Sequence, residues 1–211
     1  MYIEVNHISK DYGDQKVLKD VTVSFEKGKI HGIVGRNGSG KTVLFKCICG
    51  YVKPETGEVL LDRKQIGKAM DFPPSIGLIL EAPGFLPNFS GLFNLEMLQG
   101  INHKVDTSYL RDVMQQVKLQ NVGNKPVGKY SMGMRQRLGI AQAIMEDPEL
   151  LILDEPFNGL DTQGVEDMRQ LFLSLKEKGK TILITSHYTQ DIEALCDTVH
   201  EMDAGVIKSI R

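Results

Sequence analysis

Gly35-Arg36-Asn37-Gly38-Ser39-Gly40-Lys41-Thr42 matches G-x-x-x-x-G-K-[ST] in full. It follows the apolar run Ile30-His31-Gly32-Ile33-Val34, which reads as a strand, and precedes Val43 to Ile48, whose apolar spacing is helical. A strand, a glycine-rich turn and a helix in that order make a phosphate cradle. Glycines let successive backbone N–H groups curl around phosphate oxygens, and the following helix presents its positive N-terminal end. Lys41 then sets an ammonium against the β- and γ-phosphates, and the Thr42 hydroxyl completes a magnesium site. The loop therefore predicts binding of a nucleoside triphosphate.

Outward from this loop, further short apolar runs read as strands: Ser75 to Leu80, Leu150 to Leu153 and Thr181 to Thr185. The last two are continuous rather than alternating, the pattern of strands covered on both faces. Between them Val165, Met168, Leu171, Phe172 and Leu175 recur at helical spacing from about Thr162 to Lys178, and Gly179 supplies a stop. Strand, helix, strand gives a parallel α/β sheet. Tyr2 to Val5, Val17 to Phe25 and Gly57 to Leu61 are strand-like and joined by turn residues, which suggests an antiparallel flank. The stretch from about Phe85 to Pro148 is mostly helical in pattern, as in Thr107 to Leu119 and Ser131 to Met145. The expected fold is α/β: a P-loop NTPase core with a mostly parallel sheet, an antiparallel β flank and an inserted helical subdomain. Residues 1–80 and 149–211 would form the core and about 81–148 the helical part of a single domain. A last strand-like run spans Val206 to Ile210.

Composition narrows the function. The 211 residues carry 25 basic and 27 acidic side chains, a formal net charge of -2, with no basic stripe. A nucleic-acid partner has no electrostatic footprint here. No stretch reaches the roughly 18–20 apolar residues needed to cross a bilayer, and the N-terminus lacks the plan of a signal peptide. The expectation is a cytoplasmic protein that meets a membrane only through another subunit. Cys47, Cys49 and Cys196 have no metal-type spacing and read as reduced, packed thiols. His7, His31, His103 and His200 match no motif and are expected to be packed or solvated.

Leu150-Leu151-Ile152-Leu153 delivers Asp154 and Glu155 at the carboxyl end of a buried strand, where ligands bind in open α/β sheets. Adjacent residues on a strand point to opposite sides, so one carboxylate can face magnesium while the other turns toward the γ-phosphate. Pro156 fixes the turn at that point.

Taken together the motifs resemble those of the ABC ATPase family over essentially the whole chain. Tyr130-Ser131-Met132-Gly133-Met134 resembles the LSGGQ signature, Leu150 to Pro156 the Walker B strand, and Asn158-Gly159-Leu160-Asp161 the D-loop. Ser186-His187 resembles the end of the strand that carries the switch histidine. The resemblance implies ATP and Mg2+ as ligands. Gly35, Arg36, Asn37, Gly38, Ser39, Gly40, Lys41, Thr42 and Val43 would surround the phosphates. Asp154 would hold magnesium through water, with Thr42 and Glu81 beside it. Glu155 would activate the attacking water, with His187 and Lys41 on the γ-phosphate. Tyr12 stands where the family has an aromatic residue stacked on adenine; the lesser alternative is that it covers the sheet edge. Ser131 and the Gly133 backbone would reach ATP bound on a second subunit, which implies a homodimer, or a paired ATPase subunit, with nucleotide at the interface.

Two departures from the family pattern stand out. Met132 and Met134 occupy positions that are commonly Gly and Gln. Glu81, in Leu80-Glu81-Ala82-Pro83-Gly84-Phe85, stands where most members carry Gln. A carboxylate still suits magnesium, a hard cation, yet it adds a negative charge beside ATP. This Glu, with the Pro-Gly-Phe and Pro-Asn-Phe that follow, is similar to the ATPases of bacitracin and lantibiotic-immunity exporters. The implied function is the ATP-hydrolysing subunit of an exporter that works through a separate membrane permease, possessing no contact with the cargo itself. Phe85, Leu86, Phe89 and Phe93 suit either a groove for a helix of that permease or the core of the helical part. The competing classes are a soluble ATPase acting on DNA or ribosomes and a nucleotide-dependent regulator without turnover. Only 88 residues lie between Lys41 and Tyr130, too few for the long coiled coil of chromosome ATPases. Glu155 and His187 speak against a regulator without turnover.

Overall fold

A computed structural model describes residues 1–81, 83–186 and 189–211 of the chain. Two sheets dominate it. The first is antiparallel and four-stranded: β1 (Ile3–Tyr12), β2 (Gln15–Phe25), β4 (Thr56–Leu61) and the short β5 (Lys64–Gln65), in spatial order β2-β1-β4-β5. The second contains β3 (Ile30–Val34), β6 (Ile76–Ile79), β7 (Leu150–Leu153), β8 (Thr181–Ser186), β9 (Thr198–Asp203) and β10 (Val206–Ser209), ordered β10-β9-β3-β8-β7-β6. Its strands run parallel except β10, which turns back on β9.

Every residue of β3, β7 and β8 is buried, as their continuous apolar composition requires. Successive side chains go to opposite faces. Leu150 and Ile152 of β7 pack with Leu183 of β8 toward the antiparallel sheet and α1 (Lys41–Ile48). Leu151 and Leu153 pack with Ile182 and Ile184 toward the helices on the other face. Those helices are α2 (Gly91–Asn102), α3 (Thr107–Gln116), α4 (Met132–Ile144), α5 (Thr162–Glu177) and α6 (Thr189–Leu195). Leu95, Leu110, Leu138 and Ile144 of α2 to α4 belong to the same apolar cluster as Ile79 and Leu153, so the helical stretch shares its core with the parallel sheet. β6 lies so close to α4 that a Cβ on Gly77 would stand 1.9 Å from the Ala143 carbonyl oxygen.

Caps set the helix boundaries. Ser90, Asp106, Ser131 and Asp161 each accept a backbone N–H of the first turn of the helix they precede. α5 closes on Gly179 at φ 83, whose N–H meets the Lys176 carbonyl while Lys180 N–H meets that of Leu175. The expected Ser131–Met145 helix is α4 with Ser131 as its cap, and the expected Thr107–Leu119 helix ends at Gln116, before Lys118 at φ 60.

Two strands differ more from the sequence reading. β1 continues to Tyr12, well past Val5. Its pairing with β2 shifts register after Val5, Ile8 and Lys10, with His7 at φ 51, and each bulge breaks the period-two alternation. β9, not read as a strand at all, pairs in parallel with β3, and its apolar positions are separated by His200 and Glu201.

The histidines divide by environment. His7 pairs with Asp20 and His103 with Glu146 on the surface. His31 is buried, with ring nitrogens on Thr198 Oγ1 and the Glu26 carbonyl. His200 packs edge-on to Phe25, which also touches His31, and its buried Nε2 has no hydrogen-bond partner. Burial, with a smaller contribution from His31, pushes the His200 pKa down to about 4. Between pH 4 and 6.5 the unfolded chain therefore takes up a proton that the folded chain refuses. The stability is complete above about pH 6.5 and is lost as pH falls toward 4, by about 3 kcal/mol. Denaturant titrations at pH 7.5 and pH 5 on wild type and His200→Leu check this. The variant should lose less stability than wild type on acidification; parallel losses would contradict it.

The three cysteines are free and buried, and burial raises each thiol to about 12. They stay protonated and unreactive. No helix among the described residues is long and apolar enough to cross a membrane.

Candidate nucleotide-binding and hydrolysis site

The loop between β3 and α1 forms one wall of a cleft of about 290 Å³, lined by Gln15, Val17, Asn37 to Val43, Asp154 and Glu155. Its shape demands glycine at defined places. Gly40, the residue before α1, has φ 111, and a Cβ there would come 2.9 Å from the Val17 carbonyl. A Cβ on Gly35 would stand 2.2 Å from the Met202 carbonyl. The turn between β9 and β10 closes on the same loop: Gly205 N–H donates to the Ser39 carbonyl at 3.0 Å, and Lys19 N–H donates to the Gly205 carbonyl at 2.9 Å.

Two features of the loop fit an anion. Ser39 Oγ is buried with no hydrogen-bond partner, a donor for which a phosphate oxygen is the natural acceptor. The Lys41 ammonium lies within the loop, donating to the Gly35 carbonyl at 2.7 Å and the Arg36 carbonyl at 3.2 Å, and 3.6 Å from Glu155 Oε1.

The carboxylates are set by neighbouring strands. Asp154 follows β7 and is buried; its Oδ2 accepts from Thr42 Oγ1 at 2.5 Å and its Oδ1 from Thr185 Oγ1 at 2.6 Å. The Asp154 carboxylate and the Thr42 hydroxyl are oxygen donors, the ligand chemistry that a hard divalent cation selects. Among the described residues no cluster of three His, Cys, Asp or Glu forms an all-protein metal site, so phosphate and water oxygens would have to complete one. Glu155 turns away at φ 51, and its N–H donates to Thr185 Oγ1 at 2.8 Å while Gln136 Nε2 donates to its carbonyl at 3.4 Å.

The structure thus gathers Asn37 to Val43, Asp154 and Glu155 at one cleft, with Gly35 and Arg36 at the base of the loop. Tyr12 is 49% exposed at the end of β1, opposite Gln15, whose side of the hairpin reaches the cleft; Lys10 Nζ lies 5.6 Å from its ring centre. Glu81 stands outside the cleft at φ 65, with Lys46 Nζ 2.6 Å from its Oε1. That hydrogen bond and the lysine's charge hold the Glu81 carboxyl below its ordinary range and raise Lys46. Ser131 and Gly133 also lie away from the cleft, at the start of α4. Gly133 packs against the turn at Gly159, and Met132 covers Gly159 so closely that a Cβ there would meet its Cε at 2.6 Å. His187 lies outside the described residues. Of the four aromatic-segment positions, Phe85 packs on the core, whereas Leu86, Phe89 and Phe93 are exposed.

Sequence reasoning missed Thr185, which holds both Asp154 and the Glu155 backbone. Its signal was a hydroxyl at the end of an otherwise apolar strand, Ile182 to Ile184. It also missed Gln15 and Val17, contributed across the sheet by a hairpin, and Lys46, one turn beyond Thr42.

A family model described as ABC transporter matches residues 18–158. The uncharacterized ABC transporter ATP-binding protein YybJ of Bacillus subtilis (strain 168) is 40% identical over 207 residues, covering 98% of this chain and 95% of that protein. The bacitracin transport ATP-binding protein BcrA of Bacillus licheniformis is 41% identical over 208 residues, covering 96% of this chain and 67% of that protein. Among solved structures, dimeric MJ0796, a bacterial ABC transporter cassette, has the same fold, with a TM-score of 0.87 over 99% of both chains at 22% identity. With its phosphate loop, paired carboxylates and sheet order in place, the chain belongs to the ABC transporter ATP-binding family and is an ATPase subunit of that type.

Proposed function

We propose that this ATPase drives export, through a separate membrane permease, of peptide antibiotics or related compounds. The observation that carries the chemistry is the convergence of Lys41, Thr42, Asp154 and Glu155 on one cleft. The cargo class rests on the likeness to BcrA, whose name records bacitracin transport.

In this reading Lys41 exchanges its two loop carbonyls for β- and γ-phosphate oxygens, and the Ser39 hydroxyl gains its missing acceptor. Thr42 and Asp154 would hold Mg2+, which supplies charge neutralisation on the phosphates. Glu155, aimed by its left-handed turn and by Thr185, accepts the proton of the attacking water. Tyr12 stacks on the base. His187 is assigned to the γ-phosphate by the family pattern alone, and Glu81 to the metal likewise.

Ser131 caps α4 and offers a hydroxyl and backbone N–H groups outside the chain's own cleft. A second copy, or a paired ATPase subunit, docked head to tail would bring these groups and Gly133 to the other nucleotide. Residues 81–148 act as the helical subdomain of a single domain. Leu86, Phe89, Phe93, Met97 and Ile101 form an exposed apolar stripe on and before α2, with Phe89 and Phe93 stacked at 4.6 Å. This stripe suits a helix of the permease, which would hold the chain at the inner face of the cell membrane.

Thermal unfolding with and without saturating ATP-Mg tests the binding step. A ligand at about 100 times its dissociation constant stabilises by about 2.7 kcal/mol. Wild type should shift upward and Lys41→Ala should not; equal shifts would remove Lys41 from the site.

A further inference from the structure

β8 lies between the strand that leads into the phosphate loop and the strand that delivers the carboxylates, in the order β3-β8-β7. Ile184 of β8 is opposite Leu153 of β7, and Thr185 is opposite Ile33 of β3. Thr185 therefore stands near the carboxyl end of the middle strand, fully buried beside Asp154.

A threonine hydroxyl has one proton to give and lone pairs with which to accept. Thr185 gives its proton to Asp154 Oδ1 at 2.6 Å and accepts the Glu155 N–H at 2.8 Å. The first length is that of a charge-assisted bond to an ionised carboxylate. With Oδ1 engaged, Oδ2 is the oxygen that meets Thr42 at the start of α1. With its N–H engaged, residue 155 is held at φ 51, a left-handed conformation that costs a residue with a Cβ. That turn brings Glu155 Oε1 to 3.6 Å from the Lys41 ammonium.

We propose that Thr185 is a positioning residue for ATP hydrolysis, whose one hydroxyl gives two adjacent carboxylates separate tasks. It reserves Oδ2 of Asp154 for the metal side of the cleft and holds Glu155 turned toward the γ-phosphate. Removing the hydroxyl takes the donor from an enclosed carboxylate oxygen and the acceptor from the Glu155 N–H. Asp154 can then rotate, and residue 155 can relax out of its left-handed turn. The phosphate loop keeps its own contacts, so the loss falls on the chemical step and on the metal rather than on nucleotide binding. The proposal rests on the reading of Asp154 as metal holder and Glu155 as base.

Thr185→Val removes the hydroxyl at nearly constant volume, Thr185→Ser keeps it, and Thr185→Cys replaces it with a weak donor. Each is compared with wild type in steady-state phosphate release at saturating Mg2+. Each is also followed in a Mg2+ titration of thermal unfolding with AMP-PNP, a triphosphate analogue that is not hydrolysed. Thr185→Val should lose about 10–100-fold in kcat, the usual effect of removing an outer-shell partner, with KM for ATP within about two-fold of wild type. Its Mg2+ midpoint should rise about ten-fold. Thr185→Ser should recover most of the rate, and Thr185→Cys should fall between; if the valine variant does not fold, these two carry the comparison. A valine variant with kcat within about three-fold of wild type would overturn the proposal. So would a serine variant as slow as valine or cysteine, an unchanged Mg2+ midpoint, or a loss confined to KM. Hydrolysis by Glu155→Gln at the wild-type rate would instead overturn the reading of the base beneath it.

Discussion

Glu155→Gln is expected to keep ATP bound while hydrolysis falls by about 10²–10⁴-fold, the contribution of a positioned general base. The substitution changes one atom and leaves the local geometry intact. The backbone at residue 155 stays at φ 51, held by Thr185 Oγ1 on its N–H and Gln136 on its carbonyl. Lys41, the loop glycines and the Thr42–Asp154 pair are untouched, so the phosphates keep their cradle. An amide cannot take a proton from water, and the variant should therefore collect in an ATP-bound form. With the signature residues Ser131 and Gly133 recruited by a second nucleotide, that form should be a dimer. Steady-state phosphate release and size-exclusion chromatography with ATP-Mg report the two effects. Phosphate release near the wild-type rate would move the base elsewhere.

Gly77→Ala should destabilise the fold by about 3 kcal/mol, at the upper end of overpacking costs, and lower the Tm by roughly 10 °C for a chain of this size. The cause is a backbone contact. The added methyl would sit 1.9 Å from the Ala143 carbonyl oxygen and 2.7 Å from Leu151 Cδ2. The Leu151 contact is with the end of a flexible side chain, but the carbonyl belongs to α4, and only separation of β6 from α4 relieves it. Because Ser131 caps the far end of α4, a shifted helix also misplaces the signature, so ATP-dependent dimerisation should weaken along with stability. Calorimetry on Gly77→Ala and Gly77→Val measures the first effect; a Tm within 2 °C of wild type would show that the helix rides freely over the strand.

The site was legible in the sequence wherever chemistry is carried by neighbouring residues. The run from Gly35 to Thr42 and the Asp154–Glu155 step each specify a backbone shape and a set of functional atoms within a few positions. What escaped was supplied from a distance. Thr185 reaches Asp154 from the next strand, and its single hydroxyl looks like any strand threonine until the two strands are laid side by side. Lys46 reads as a helix-terminal cation until Glu81 appears opposite it. The fold followed the same rule. β3, β7 and β8 announce themselves by unbroken apolar composition, whereas the bulges of β1 shift its inward-facing positions and hide the strand beyond Val5. β9 is disguised because one of its inward positions is a histidine that stays neutral by burial.

The turn at Gly205 has a consequence for the order in which this protein is made. Ser39, just before the phosphate loop's helix, receives its backbone partner from Gly205, a residue translated long after it. A nascent polypeptide on the ribosome carries the whole recognisable motif early, yet lacks the strand and turn that brace it until β9 and β10 emerge. The nucleotide pocket is thus written before the strands that brace it, and its completion waits on β9 and β10.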